Sequence, residues 1–249
     1  MYLLLFRALL PGAGKAASAL LCAPFAARKQ RRMAPGSEYN PPEGPLDLLH
    51  HDAQIVVVNK PDGLLSVPGK GEHLADCLIT RLQAVFPDVL LVHRLDRDTS
   101  GVMVFALTPH AQRHLGLQFE KRHAKKTYVA RLDGKLEPKS GTVDLPLIVD
   151  WENRPRQMVD PENGRPAQTD WKVLRHEGDT TRVRLFPKTG RSHQLRVHML
   201  SLDHPILGDP LYASGAALDH DRMMLHSEEL RIKHPDGGAS LKFRAPAPF

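Results

Sequence analysis

Residues 92–101 of this chain, VHRLDRDTSG, place an aspartate where it could act on a substrate. An apolar run typical of a strand precedes Asp96, and the turn-forming residues DTSG follow at 98–101. A carboxylate at such a position can serve as a nucleophile, or as a base that stabilises a developing charge. A structural turn in which Arg94 and Asp96 pair across the loop is the alternative interpretation. The segment by itself leaves both open.

A second segment could bind an anion. Between Asp179 and Asp203 the sequence has no acidic residue. It does contain basic residues and histidines there, namely Arg182, Arg184, Lys188, Arg191, His193, Arg196 and His198. Ser192 is placed to cap a helix that begins at His193, and backbone amides at that helix start, beside Arg191, could hold a phosphate. A run of charges is usually a solvated face, but the apolar residues interleaved here favour a binding segment.

A third group of basic residues surrounds a tyrosine. The basic residues are Arg113, Lys121, Arg122, Lys125, Lys126 and Arg131, and Glu120 is the one acid among them. Tyr128 is predicted to lie in the strand that this group accompanies. It could be an ordinary core residue, or it could present its ring to a nucleobase, since aromatic faces stack on bases.

Composition limits the classes of protein that this chain could be. It has 249 residues with 34 basic and 28 acidic side chains, a net charge of +6. Residues 1–37 contain six of the basic residues and no acid, so the remainder is balanced and net charge does not argue for nucleic acid. Two cysteines exclude a disulfide framework and a cysteine-based zinc site, which favours a reducing, cytoplasmic compartment. His110 and His114 lack an accompanying carboxylate, so no metal site is expected, and no apolar stretch is long enough to cross a membrane.

The elements that must position these residues are mainly strands. Apolar and β-branched runs predict strands at 54–59, 89–95, 101–107, 126–131, 168–174, 181–186, 229–233 and 240–244, the last two forming a hairpin. Leu74, Leu78, Leu82 and Val85 share a helical face that Pro87 ends. Thr108-Pro109 begins a second helix, which reaches about Arg122. Because strands outnumber helices and do not alternate with them, we predict an α+β fold whose mixed, largely antiparallel central sheet is flanked by helices.

The motif HRLDRDTSG at 93–101 resembles the signature of the RluA family of RNA pseudouridine synthases. Further segments are similar to that family, so the resemblance covers about residues 39–249. They are YNPP (39–42), NKPDGLLSVPG (59–69), KKTYVA (125–130), VDLPLIVDWENRP (143–155), GRPAQTDW (164–171), TGRSHQLRVHM (189–199), HPILGDPLY (204–212) and MLH (224–226). The departure from the family pattern is Met224, where leucine is common, and the two side chains have similar volumes.

The resemblance implies a function and a set of site residues. The function is the isomerisation of specific uridines to pseudouridine after the nucleotide flips out of its stack. Asp96 is the catalytic residue that the resemblance implies. Arg94 would enter the RNA stack, Tyr128 would pack on the uracil, Arg196 would pair with Asp96, and Leu225 would wall the pocket. To these we add Arg191 as a phosphate contact, which makes the expected substrate-binding residues Arg94, Tyr128, Arg191, Arg196 and Leu225.

The partners implied are RNA, with a tRNA anticodon stem-loop and a hairpin of 23S-type large-subunit rRNA as substrates. No metal, other cofactor or membrane is implied, and we expect a monomer. Two alternatives remain at this point. One is a catalytically inert RNA-binding or assembly factor on the same scaffold, and the other is a glycosylase that uses Asp96 but releases the base.

The sequence also predicts how the chain is divided. Residues 1–32 match nothing in the family and contain the excess of basic residues, so we expect an extension that is disordered or lies before the true start at Met33. Residues 33–249 are expected to form a single catalytic domain. Too few residues precede Asp96 for the additional S4-type RNA-binding domain that many relatives have.

Overall fold

A ten-stranded sheet forms the centre of the molecule in a computed structural model that describes residues 39–249. The predicted extension 1–32 therefore lies outside the described residues. The strands of the sheet are β1 (Asp47–His51), β2 (Ile55–Lys60), β3 (Leu90–Leu91), β4 (Ser100–Ala106), β5 (Lys125–Asp133), β6 (Ser140–Asp144), β9 (Gln168–Glu177), β10 (Thr180–Pro187), β11 (Leu225–Lys233) and β12 (Ser240–Arg244). A separate antiparallel hairpin pairs β7 (Leu147–Val149) with β8 (Gln157–Val159).

Helices in the described part of the chain are short. They are α1 (Leu78–Gln83), α2 (Pro109–Glu120), α3 (Gln194–Leu200) and α4 (Gly215–Leu218), with a 3-10 turn at Glu72–Leu74. The helix predicted from Thr108-Pro109 is confirmed, since the Thr108 side chain accepts a hydrogen bond from the Ala111 amide at 3.1 Å. None of the helices within residues 39–249 is long and apolar enough to cross a membrane.

The sheet is mixed and mostly antiparallel, which confirms the predicted α+β class. Its main path runs β1-β2-β4-β11-β5-β10-β9-β6, with β3 pairing β4 and β12 pairing β11. Among the described strands, β4 and β11 are the one parallel pair, with Ser100 opposite His226. The strand near the end of the chain thus lies between the first strands and the rest.

Buried side chains cover both faces of the sheet. Along β2, Val56 and Val58 belong to one apolar cluster and Ile55 and Val57 to the other, as the two-residue strand period requires. The first cluster includes residues of α1 and α3, and the second includes residues of α2. The two clusters pack against opposite faces of β4, which starts at Ser100 within the 93–101 motif.

Two predicted elements are shorter than expected. The strand predicted at 89–95 is reduced to Leu90–Leu91. After Leu91, hydrogen bonds that involve side chains take the place of bonds between strand backbones. The Val104 amide donates to Nε2 of His93 at 3.2 Å, and Ser66 bonds the backbone of Leu95. The helix predicted from Leu74 begins only at Leu78 and ends at Gln83, so that Leu74 lies in the preceding 3-10 turn.

Candidate active site

The loop that contains Asp96 is fixed by side chains beneath it. The hydroxyl of Ser66 donates to the Leu95 carbonyl at 2.6 Å and accepts from the Leu95 amide at 3.2 Å. The fully buried ammonium of Lys60 donates to the carbonyls of Leu64 at 2.7 Å and Arg97 at 2.8 Å. Burial lowers the pKa of Lys60 to about 7, although nearby carboxylates including Asp98 oppose that change. These hydrogen bonds fix the backbone of Leu95 and Arg97, the residues immediately before and after Asp96.

The other end of the motif is bonded to the parallel strand β11. Ser100 Oγ accepts a hydrogen bond from Arg222 Nη2 at 2.5 Å and donates to His226 Nδ1 at 2.7 Å. His226 Nε2 donates to the Ala245 carbonyl at 2.9 Å. Burial, the largest influence, lowers the pKa of His226 to about 4, so the ring is neutral. Gly101 has φ 115, and a side chain there would collide with the backbone of β11.

Arg196 joins two carboxylates, one buried and one facing the cleft. It donates to Asp209 from Nε at 2.7 Å and from Nη2 at 2.6 Å, and to Asp96 Oδ2 from Nη1 at 3.2 Å. The exposed side-chain fraction is 3% for Arg196, 0% for Asp209 and 27% for Asp96. Burial opposes the charge of Arg196, but Asp209 and Asp96 outweigh it and raise its pKa above the ordinary value. The predicted pairing of Asp96 with Arg196 is confirmed.

His193 stands beside this pair in an unexpected conformation. Its backbone is left-handed, with φ 52, and α3 begins after it without a side-chain cap, so the predicted cap by Ser192 is wrong. A helix of only seven residues offers no strong anion site at its start. The His193 ring instead bonds Tyr212 Oη through Nδ1 at 2.8 Å and places Nε2 3.9 Å from Asp96 Oδ2. Burial lowers the pKa of His193, with Asp96 opposing.

A cleft of about 1100 Å³ opens above Asp96. Tyr128 and Leu225 line it together with Asp96, Arg94 and Arg196, as does Arg191. Tyr128 and Leu225 are buried, and burial raises the pKa of Tyr128 to about 12, so its phenol remains protonated. The structure therefore brings all six predicted site residues to one cavity.

The basic residues of the 179–203 segment do not form one cationic surface. Acidic side chains from elsewhere in the chain neutralise three of them at 2.7 to 3.4 Å: Arg182 bonds Glu177, Arg184 bonds Glu228 and Lys188 bonds Asp170. Arg191 is different, because its Nε donates to the Pro166 carbonyl at 3.1 Å and within residues 39–249 it forms no ion pair. Arg94 is exposed and likewise forms no ion pair with the described residues.

Two residues of the site were not assigned a role from the sequence. Asp209 holds Arg196, and Tyr212 holds His193 while lying 5.0 Å below the Arg196 guanidinium. Both belong to the segment HPILGDPLY at 204–212, which matched the family but gave no local sign of chemistry. Across residues 39–249 no group of three or more His, Cys, Asp or Glu side chains is placed to hold a metal ion.

Comparison with known proteins decides the family. The family model described as RNA pseudouridylate synthase matches residues 54–201. The chain belongs to this family. A curated relative from Escherichia coli (strain K12), dual-specificity RNA pseudouridine synthase RluA, is 56% identical over 214 residues, which are 85% of this chain and 98% of the relative. The protein of the same name from Yersinia pestis is 52% identical over 204 residues, 81% of this chain and 99% of that one.

Solved structures agree with that assignment. Human RNA Pseudouridylate Synthase Domain Containing 1 superposes with a TM-score of 0.70 at 31% identity, covering 87% of each chain. Human RNA Pseudouridylate Synthase Domain Containing 4 gives 0.67 at 26% identity, covering 81% of this chain and 88% of that one. The fold is that of the pseudouridine synthases, and the chain is an RNA pseudouridine synthase, an isomerase that modifies RNA.

Proposed function

We propose that Asp96 is the catalytic carboxylate of this pseudouridine synthase. The observation that supports this most is its half-open position. Arg196, itself locked by Asp209, occupies only Oδ2 of Asp96, and no hydrogen bond from residues 39–249 reaches Oδ1. A carboxylate oriented through one oxygen and open through the other can approach a ribose placed in the cleft.

The reaction balances without any further reactant. The bond between uracil N1 and ribose C1′ breaks, a bond between C5 and C1′ forms, C5 gives up its proton and N1 ends with one. Whichever step Asp96 takes in this sequence, attack at C1′ or removal of a sugar proton, it works on a nucleotide that has left the stack. Its neighbours position that nucleotide.

The remaining site residues divide between holding the base and replacing it. Tyr128 and Leu225 form apolar walls of the cleft, and each could pack against one face of a uracil ring. Arg94 is exposed at the mouth and is free to fill the vacancy that the flipped base leaves in the RNA. Arg191, without an ion-pair partner among the described residues, is available for a phosphate. These contacts would offset the few kcal/mol that flipping costs.

The substrates we propose are a tRNA anticodon stem-loop and a hairpin of large-subunit rRNA. The curated bacterial relatives are named dual-specificity enzymes, and this chain matches nearly their whole length, which supports two RNA classes. Both RNAs are found in the cytoplasm, where we propose that the protein acts as a monomer. Residues 33–249 would form its single catalytic domain, and residues 1–32 would be dispensable.

The test is modification by the purified protein and in cells. Incubation with stem-loop transcripts should release tritium from uracil C5 while the mass of the RNA, corrected for that exchange, stays constant. Loss of uracil mass would indicate a glycosylase, and binding without either change would indicate an inert RNA-binding factor. Pseudouridine mapping of total tRNA and rRNA with and without the gene then identifies the positions. Sites lost in only one RNA class would overturn the proposed dual use.

A further inference from the structure

A second, smaller pocket adjoins the cleft at Asp96 and His193, which line both cavities. It has a volume of about 440 Å³, and its lining includes Arg94, Arg154 and Arg191. The two cavities share the segment Gly190–His193 in part, as well as Arg94 and Asp96. A nucleotide in the smaller pocket would therefore be an immediate neighbour of one bound over Asp96.

The three arginines of this pocket have no carboxylate partner in the described chain. They come from three separate segments, and within residues 39–249 none of Arg94, Arg154 and Arg191 forms an ion pair. Some arginines elsewhere in the described chain, such as Arg182 and Arg184, are neutralised by glutamates. Three arginines that line one cavity without carboxylate partners suit a phosphodiester, which guanidinium groups can bind through paired N–H donors.

Acidic groups near the pocket do not cancel this charge. Asp96 lies in the lining and is bonded to Arg196. Asp150, in the loop that joins β7 to β8, accepts hydrogen bonds from the amide and side chain of Asn153 at 3.0 to 3.1 Å. Glu152 is exposed on the hairpin loop. Neither Asp150 nor Glu152 lines the pocket, whose lining contains three arginines and one acid, Asp96, and is therefore cationic.

An exposed aromatic ring stands next to the same pocket. Trp151, in the loop that joins β7 to β8, is 66% exposed, and the Arg154 guanidinium stacks over its ring at 4.5 Å. The hairpin is anchored, since the Gln157 amide donates to Tyr212 Oη at 2.7 Å and Tyr212 in turn bonds His193. Trp151 is thus an aromatic surface on a loop whose base is tied to the site, the arrangement that single-stranded bases stack on.

We propose that this pocket and Trp151 bind the nucleotide next to the target uridine. Its phosphate would contact Arg154 and Arg191, and its base would stack on Trp151. This subsite rests on the proposed function, because it extends the RNA path of that site by one nucleotide. It would make the enzyme sensitive to whether an unpaired base, and not merely a backbone, flanks the uridine.

The experiment compares three RNAs with three variants by titration at several salt concentrations. The RNAs are one stem-loop that the wild type converts, and the same stem-loop made abasic at the nucleotide 5′ or 3′ to the uridine. Trp151→Ala should raise Kd about 5- to 160-fold on the intact RNA. On one of the two abasic RNAs it should have no effect, because the base it would contact is already absent. Arg154→Ala should weaken all three and reduce the salt slope by about 0.7.

Arg175→Ala is the matched control. It removes the same charge from the far end of β9, roughly 23 Å along the strand from Gln168 at the cleft, and should leave Kd and the salt slope unchanged. Equal losses for Trp151→Ala on all three RNAs, or no loss on any, would overturn the subsite. Tritium release by the wild type in the same tubes separates this failure from failure of the proposed function, which would abolish release altogether.

Discussion

Two carboxylates share Arg196, and their surroundings differ in every respect that matters for chemistry. Asp209 is fully buried, takes two hydrogen bonds from the guanidinium and also accepts from the amides of Leu211 and Tyr212. Asp96 accepts one longer bond at its Oδ2 atom and keeps part of its surface open to the cleft. The first carboxylate has no capacity left for a substrate, whereas the second has. One arginine thus separates a structural acid from a proposed catalytic one.

The same distinction applies to the basic residues. Arg182 is half of an internal ion pair with Glu177, while Arg191, nine residues later in the same acid-free segment, has no carboxylate partner in the described chain. A charge in the sequence therefore says little about RNA until its partners in space are known.

The largest effect is expected for Asp96→Asn. The substitution preserves volume and removes the charge, so pseudouridine formation should fall by roughly a thousandfold or more. RNA affinity should persist, and because Asp96 is partly exposed the free energy of unfolding should change by only about 0.5 kcal/mol. Tritium release from C5 and a melting curve measure the two quantities. A folded Asp96→Asn protein that still turns over would remove the basis for its proposed role.

Asp209→Asn makes the same chemical change on the buried side. It leaves Arg196 charged and buried with only Asp96 to pair with, and breaking a buried pair costs about 3–5 kcal/mol. We expect a lower midpoint of denaturant unfolding than for Asp96→Asn, together with reduced turnover because Asp96 loses its fixed partner. If the two asparagine variants were equally stable, the proposed division between the carboxylates would be wrong.

The buried His226 on β11, which accepts a hydrogen bond from Ser100, should also make the stability of the protein depend on pH. Burial is the main cause that lowers the pKa of His226 to about 4 in the folded protein. In the unfolded chain this histidine binds a proton as the pH falls below about 6.5, whereas in the folded protein it does so only near pH 4. Stability is thus fully present above pH 6.5 and falls by about 3 kcal/mol between pH 7 and pH 4 from this group. Denaturant unfolding at the two pH values, with His226→Gln as the comparison, isolates the contribution. An equal pH dependence in both proteins would contradict it.

The smallest effects separate Arg191 from Arg182. Arg191→Ala should reduce the salt slope of RNA binding by about 0.7 for one lost phosphate contact on a single strand, with an unchanged melting temperature. Arg182→Ala should lower the melting temperature because Glu177 loses a partner, and leave the salt slope unaltered. Fluorescence titration of a labelled stem-loop at four salt concentrations measures the slopes. The reverse assignment of effects would refute the comparison of these two arginines.

Local patterns in the sequence were sufficient for much of the fold and for the centre of the site. The turn residues after Asp96, the capped start of α2 and the hairpin β11–β12 are short-range features, and the structure has each of them. The family motifs added Arg196, Tyr128 and Leu225, which lie 32 or more positions away from Asp96 in the chain and around one cleft in the structure.

The sequence could not predict which distant residues bond to these side chains and to the loop backbone. Glu228 neutralises Arg184 from 44 residues away, and Ser66 replaces strand pairing at Leu95 from 29 residues away. Ser192 had suggested an ordinary helix cap, but His193 adopts a left-handed backbone there and its ring bonds Tyr212, which lies 19 residues away. Such contacts depend on the assembled sheet, and no local spacing encodes them.

The position of β11 has a consequence for how the protein is made. Among the strands of residues 39–249, β11 alone joins β1–β4 to β5, β6, β9 and β10 within the sheet, and it is one of the last of these strands to leave the ribosome. Until it inserts, Ser100 lacks His226 and the sheet remains in two pieces. We therefore expect a nascent chain to acquire activity in a single late step. We also expect the pairing of β4 with β11, which are distant in the sequence, to limit the rate of folding.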